Sequence, residues 1–316
     1  MMRMTVLASG SKGNSTVISS SRTRVLVDAG LSCRELLRRM ALAGEDPTTL
    51  DAILITHEHI DHVAGLAVLA RRLGIPVYIT EPTHRAWVRM ITPRTTMTYA
   101  KWLDHVQQEK EARAAAVAQG KLNIAAEAAP DSDADNLCEP EATTKANPSR
   151  LPVVEYFHPG TNFSIGDLDI LPFTIPHDAA DPCGFVFSAE GIRMALATDL
   201  GYVPPNVKAA LKRIDVLLLE SNHDLEMLRD GPYPWSVKQR VLSRVGHLSN
   251  TATAEFLSTD YDGGASYIVL GHLSESNNAP ELARIAAEQA LSRHPTLLGN
   301  RVLLATQSTP LEPITL

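Results

Sequence analysis

One short segment, ITHEHIDH at 55–62, constrains this chain more than any other stretch, because it places three histidines and two acids directly behind the apolar run DAILI. Imidazoles and carboxylates at the end of a buried strand are costly to pack unless a partner satisfies them, and a metal ion is such a partner. Alternate residues of an extended segment share one side, so His57 and His59 can reach one ion. Asp61 and His62 then follow a turn and can serve a second, neighbouring ion. The alternative is a solvated polar loop whose histidines bind nothing.

Strand patterns occur in two clusters along the chain, and helical patterns follow each cluster. The first cluster lies before residue 80, and the second covers about 168–220, with one more apolar strand, SYIVLG, at 266–271. A capping box from Ser32 to Glu35 predicts the start of the first helix. This order favours an α+β fold with two sheets packed face to face and helices outside them, rather than one doubly wound sheet.

The stretch 104–150 differs in composition from its flanks. It contains no Phe, Trp or Tyr, and twelve of its 47 residues are Ala. A segment without large apolar side chains contributes little to a packed core. The sequence therefore predicts a single domain, 1–316, interrupted by a low-complexity insertion at 104–150 that is partly helical or disordered.

The bulk composition is compatible with a nucleic-acid partner. The net charge is −7, but 104–150 holds nine acids and five bases, so the rest of the chain carries only −3. Three scattered cysteines, Cys33, Cys138 and Cys183, predict neither a disulfide framework nor a cysteine zinc site, which fits a reducing cytoplasm. Neither a signal peptide nor an apolar stretch approaching the roughly 20 residues of a membrane span is recognisable, so no membrane partner is expected.

The spacing H-x-H-x-D-H after a buried strand resembles the signature of the metallo-β-lactamase-fold hydrolases. Other landmarks of that family occur in the same order. Asp28 ends a predicted strand within VLVDAG, His177 lies in IPHDAADPCGF, Asp199 ends ALATD and His272 ends IVLGH. The resemblance covers nearly the whole chain except the insertion. It implies a four-layer αββα sandwich.

The same resemblance implies a centre of two divalent metal ions. One ion would be bound by His57, His59 and His177 and the other by Asp61, His62 and His272, with Asp199 bridging them. Nitrogen and oxygen ligands without thiolate suit zinc, with manganese as the alternative. Asp28 is expected behind the ligands, where it orients an imidazole.

More detailed resemblances, in LASGSKGNST, LLLESNHD, GHLSN and GHLSESNN, point to the WalJ/YycJ-type branch, whose members are described as exonucleases acting 5′ to 3′ on double-stranded DNA. The implied reaction is attack of a metal-bridging hydroxide on phosphorus. Asp61 would orient the nucleophile, and His247, supported by Glu220, would protonate the leaving group. Structural roles for His247 and Glu220 are the alternative. The insertion is the departure from that branch.

Other functions fit the motifs less well. An RNA-processing nuclease and a small cyclic or nucleotide phosphodiesterase are the alternatives, followed by a thioester or lactam hydrolase. The H-x-E-x-D variant of the flavodiiron oxidoreductases is absent from this sequence. A binding module without catalysis fits poorly, because all seven expected ligands are present.

Two regions are candidates for contact with nucleic acid, with DNA expected ahead of RNA. The first is the loop of Ser11 and Asn14, whose backbone N–H groups would face a phosphate. The second is 82–103, which contains Arg85, Arg89 and Arg94 but no acid. Its aromatic residues, Trp87, Tyr99 and Trp102, are interleaved with these charges. Cations neutralise phosphates and aromatic rings stack on bases. The alternative is an ordinary solvated helix whose aromatic rings face the core. The sequence does not indicate an oligomeric state.

Overall fold

The computed structural model describes residues 1–92, 148–292 and 299–316. Contacts between Cα atoms group the chain into one compact unit, Met1–Met90 with Ser149–Leu316, and a second, Ile91–Pro148. The predicted insertion, 104–150, lies almost wholly outside the described residues and remains a prediction. Both sheets of the protein belong to the larger unit.

The first sheet combines an antiparallel and a parallel half. Its strands are Arg3–Ala8 (β1), Ser15–Ser19 (β2), Arg24–Val27 (β3), Ala52–Leu54 (β4), Val77–Ile79 (β5), Val154–Tyr156 (β6) and Ile314–Thr315 (β14). Their order is β14-β1-β2-β3-β4-β5-β6. Pairing is antiparallel from β14 to β3 and parallel from β3 to β6.

The second sheet also combines an antiparallel and a parallel half. Its strands are Phe163–Ile165 (β7), Leu168–Thr174 (β8), Cys183–Ala189 (β9), Ile192–Ala197 (β10), Val216–Glu220 (β11), Tyr267–Gly271 (β12) and Arg301–Leu304 (β13). Their order is β13-β12-β11-β10-β9-β8-β7, with β10 to β13 parallel and the others antiparallel. Each sheet thus brings the C-terminal ends of several parallel strands to one side.

Helices cover the outer faces of both sheets. Over the described residues they are Cys33–Leu42 (α1), Ile60–Val63 (α2), Leu66–Leu73 (α3), Glu81–Ile91 (α4), Pro205–Ala210 (α5), Leu225–Asp230 (α6), Trp235–Val241 (α7), Asn250–Thr259 (α8) and Pro280–Leu291 (α9). The Ser32 hydroxyl accepts a hydrogen bond from the backbone N–H of Glu35, as the predicted cap requires. No helix in the described ranges is long and apolar enough to cross a membrane.

The period-2 alternation of the central strands explains why there are two layers of core. In β11, Val216 and Leu218 lie in the cluster between the sheets, whereas Leu217 and Leu219 lie in the cluster shared with α5, α8 and α9. Such strands are apolar on both faces because both faces are buried. The predicted two-sheet sandwich with external helices is confirmed.

Candidate metal centre

Asp28 and several of the candidate ligands lie at or just beyond the C-terminal ends of strands. Asp28 follows β3, and His57 lies three residues after β4. In the second sheet Asp199 lies two residues after β10, and His272 follows β12 directly. Parallel strands deliver these residues to one side of each sheet, which is where ligand sites of such sheets are usually built.

Three of these residues have a left-handed backbone conformation. The φ angles are 60° at Asp28, 61° at Asp199 and 56° at His272. This region is uncommon for residues other than glycine, although Asp and His enter it more readily than most. Such strain persists only where the surroundings impose it, and it is concentrated at functional sites. At Asp28 the backbone is held on both sides, since its N–H donates to Leu54 O and its carbonyl accepts from Ser15 Oγ, each at 2.8 Å.

The first group of nitrogen atoms comes from His57, His59 and His177. One ligand atom from each lies within 4.8 Å of the others, and His59 Nδ1 is 3.3 Å from His177 Nε2. Burial lowers the pKa of His57 well below its ordinary value, and burial also lowers the pKa of His177. Neutral imidazoles keep the lone pair that a metal ion needs.

The second group combines Asp61, His62, Asp199 and His272. The Asp199 carboxylate lies between the two imidazoles, with Oδ2 at 3.3 Å from His62 Nε2 and Oδ1 at 3.4 Å from His272 Nε2. Asp61 Oδ2 is 3.6 Å from His62 Nε2 and 3.7 Å from His272 Nε2. Because Asp199 also forms a ligand group with His57 and His62, it belongs to both halves of the site.

A carboxylate behind His62 determines the orientation of its ring. His62 Nδ1 donates to Asp28 Oδ2 at 2.7 Å, and Thr56 adds two hydrogen bonds to the same carboxylate from its N–H and hydroxyl. The Nε2 atom therefore points to the centre. Burial by itself would lower the pKa of His62, but the charges of Asp28, Asp199 and Asp61 raise it well above the usual value.

Glu220 plays the corresponding role for two histidines at once. Its Oε1 accepts from His272 Nδ1 at 2.9 Å and from His247 Nδ1 at 2.8 Å, while Oε2 accepts the backbone N–H groups of Leu200 and Leu248. Burial would raise the pKa of Glu220, but His247 and His272 lower it to about 2. The residue is therefore ionised and has four donors.

The residues present fit a bound metal ion. His57 Nε2, Asp199 Oδ2 and His272 Nε2 are buried atoms without a hydrogen-bond partner among the described residues. Buried polar atoms normally have partners, and those without one need an explanation. Cations surrounded by imidazole nitrogens and carboxylate oxygens would satisfy all three.

The loop of Ser11 and Asn14 is less open to a phosphate than its sequence indicates. The backbone N–H groups of residues 9, 10, 12, 13 and 14 all donate within the protein. Asn14 is buried, and its amide lies 3.0 Å from His62 Nε2 and 3.3 Å from Asp61 Oδ2. The roles predicted for Ser11 and Asn14 remain predictions, and Asn14 lies against the proposed ligands.

The basic strip is described only in part. Arg85 and Arg89 are exposed on α4, where Arg85 pairs with Glu81 at 2.5 Å, and Arg94 lies outside the described residues. The idea that the aromatic rings of this strip stack on bases is wrong for Trp87, which is only 1% exposed. It belongs to the apolar side of α4.

Several residues that hold the site together carried no signal of their own in the sequence. Thr56 links the Asp28 carboxylate to His57 Nδ1, which is 3.0 Å from its hydroxyl. The Asn222 amide donates to His272 O at 2.8 Å. The Asp178 carboxylate accepts a hydrogen bond from Arg240, and its Oδ1 lies 3.5 Å from His177 Nε2. Thr56 and Asp178 are next to the predicted ligands His57 and His177, and Asn222 lies two residues after Glu220; these positions were the only indication of their roles.

Comparison with known proteins agrees with this fold and site. The family model described as the metallo-beta-lactamase superfamily matches residues 8–237, and the chain belongs to that superfamily. The chain is 34% identical over 291 residues to Exodeoxyribonuclease WalJ of Streptococcus pneumoniae, which covers 92% of this chain and 88% of the relative. It is 33% identical over 290 residues to Exodeoxyribonuclease YycJ of Bacillus anthracis, which covers 92% of this chain and 89% of the relative.

A crystal structure of the metallo-beta-lactamase fold protein YhfI from Bacillus subtilis superimposes on this chain with a TM-score of 0.61 at 15% identity, covering 98% of both chains. The predicted four-layer fold and the predicted family are confirmed.

Proposed function

We propose that this protein is a dinuclear metal-dependent phosphodiesterase that removes nucleotides from the 5′ ends of DNA. The observation that carries the proposal is the convergence of seven histidine and aspartate side chains, among which three buried ligand atoms lack protein partners in the described part of the chain. The two relatives that share a third of their residues with this chain over most of its length are both exodeoxyribonucleases, which supports DNA as the substrate.

Two groups of side chains would bind the metal ions. The proposed ligands are His57, His59 and His177 for one ion, Asp61, His62 and His272 for the other, and Asp199 for both. Their nitrogen and oxygen atoms favour zinc, with manganese as the alternative. When bound, such ions lower the pKa of water and stabilise the negative charge that develops on a phosphodiester.

His247 is suited to transfer a proton at the substrate. Its Nδ1 donates to Glu220, so Nε2 is the nitrogen that remains for the leaving-group oxygen. Its side chain is 19% exposed, whereas that of Glu220 is fully buried. A substrate can therefore reach His247, while Glu220 acts by orienting its ring.

Asp61 is suited to orient the attacking water. Its carboxylate is partly exposed, and its Oδ2 is nearly equidistant from the two imidazoles of His62 and His272. A carboxylate in this position accepts a hydrogen bond from water and holds it on one side of the site. Asp28 acts indirectly, because it accepts a hydrogen bond from His62 and so orients that ring.

The proposal is tested with metal-loaded protein and three end-labelled substrates: duplex DNA, single-stranded DNA and RNA. The expected first product is a mononucleotide released from the 5′ end of the duplex. Internal fragments would identify an endonuclease, and faster degradation of RNA would favour RNA processing. Equal inactivity on all three would overturn the proposal. A cytoplasmic location belongs to the same proposal, since its DNA substrate is there.

A further inference from the structure

Four large apolar side chains are exposed within one stretch of eleven residues. Trp235, Val237, Leu242 and Val245 are 67%, 37%, 51% and 43% exposed. They belong to the segment that contains α7 and ends at the site, residues 231–247, which we name the rim segment. Exposed apolar side chains that occur singly need no explanation, but a group of them indicates a surface that binds something.

The rim segment is anchored directly to the candidate metal centre. The Gly246 carbonyl accepts a hydrogen bond from His177 Nδ1 at 3.3 Å. The backbone of Arg244 lies so close to Gly201, two residues after Asp199, that a Cβ atom there would be 2.4 Å from its carbonyl carbon. The C-terminal end of the rim segment is therefore held beside the proposed ligands, and α7, which carries Trp235 and Val237, ends five residues before Gly246.

The charge of the rim segment is complementary to a phosphate backbone. It contains no Asp or Glu, and its two exposed arginines are Arg240 and Arg244. Arg240 donates to Asp178, which itself lies 3.5 Å from His177 Nε2. The Arg244 guanidinium lies 4.3 Å above the ring of Tyr202, and within the described ranges no carboxylate pairs with it.

We infer that the rim segment receives the end of a DNA duplex, with Trp235 stacking on the terminal base and Arg240 and Arg244 contacting backbone phosphates. This inference rests on the proposed function. To attack one strand of a duplex at its end, the enzyme has to separate the terminal nucleotide from its neighbours. An exposed aromatic ring stacks on any base, apolar side chains act as wedges between base steps, and arginines neutralise phosphates.

The test measures binding apart from hydrolysis. A blunt duplex carries 2-aminopurine as its terminal 5′ base and phosphorothioate linkages at its ends, and metal-loaded protein is titrated into it. Trp235→Ala should bind this duplex about 5- to 150-fold more weakly than wild type, the range for removal of one base–aromatic stack, and should not quench 2-aminopurine. Trp235→Phe should keep most of both effects.

Leu42→Ala is the matched control, because Leu42 is 65% exposed at the end of α1 and lies outside the rim segment. It should bind as wild type does. Equal binding and quenching by wild type and Trp235→Ala would overturn the inference. So would a change of mass in sedimentation without a change in DNA binding, which would identify the surface as a contact between two copies. Hydrolysis of unmodified duplex by wild type is scored separately and decides only the proposed function.

Discussion

Replacing Glu220 by Gln should destabilise the metal-free protein by about 3 kcal/mol at neutral pH. The carboxylate is completely buried and accepts four hydrogen bonds, two of them from His247 and His272. Its pKa falls from 4.5 to about 2 in the folded protein. Since one unit of pKa corresponds to about 1.4 kcal/mol, the folded state favours the charged form by about 3 kcal/mol. In the Glu220→Gln variant the side chain is a neutral amide, so this stabilisation is lost, and its NH₂ group faces N–H donors with which it cannot form a hydrogen bond.

The pH dependence gives this prediction its sign. Because the folded pKa of Glu220 lies below the unfolded value, its contribution is fully present above pH 4.5 and is lost as the pH falls toward about 2. Urea unfolding of both proteins in chelator, from pH 7 downward, measures the difference. It should be constant near neutrality and should shrink below about pH 4.5. Glu288→Gln, an exposed substitution on α9, should show no such difference. Equal stability of wild type and Glu220→Gln at pH 7, or a gap that widens with acid, would refute the reasoning.

Three further predictions address the proposed metal and substrate contacts. Asp199→Ala should lose both metal ions, because its carboxylate lies between His62 and His272 of one group and also forms a ligand group with His57 of the other. Elemental analysis after dialysis checks this, and an undiminished metal content would contradict it. His247→Ala should lower turnover by about 10²–10⁴-fold while retaining its metal, since a general acid holds no ion; loss of metal in proportion to activity would make it a ligand. Replacing Arg85, Arg89 and Arg94 by Ala should weaken duplex binding and flatten its salt dependence. The slope of the logarithm of the binding constant against the logarithm of the salt concentration should fall by about 0.9 for each phosphate that loses its arginine. An unchanged slope in a salt titration would show that the strip does not bind DNA.

The pairing of carboxylates with histidines gives the site a common organisation. Asp28 orients His62, and Glu220 orients both His272 and His247. In each pair the carboxylate accepts from Nδ1, which leaves Nε2 as the other nitrogen. For His62 and His272 that atom faces the proposed ions, whereas for His247 it is left for substrate. The same contact therefore prepares a ligand in two cases and a proton donor in the third.

Short edge strands and short helices are not predictable from the sequence. The strand β14 has two residues, and α5 and α6 have six residues each. Segments of this length contain too few residues for a period of 2 or 3.6 to show. They form because neighbouring strands and the core provide partners. By contrast, the apolar patterns DLDILPFTI, GFVFSAE, IRMALATD and DVLLLES predict strands whose bounds lie within about two residues of β8 to β11.

The sequence by itself determined the two-sheet architecture and the nearest group of candidate ligands. His57, His59, Asp61 and His62 are close in the chain, so their convergence follows from local geometry alone. The resemblance to a known family indicated which residues far along the chain, His177, Asp199 and His272, complete the ligand set, but it did not indicate their contacts. Only the tertiary structure decided that Glu220 serves two histidines. Parallel pairing of β11 with β12 brings His272, 52 positions away, to Glu220, and the loop between α7 and α8 brings His247, 27 positions away, to the same carboxylate. Long-range strand register has no local signature, and neither does burial. Trp87 was expected among exposed cations and is in the core, whereas Trp235, which the sequence did not single out, is 67% exposed.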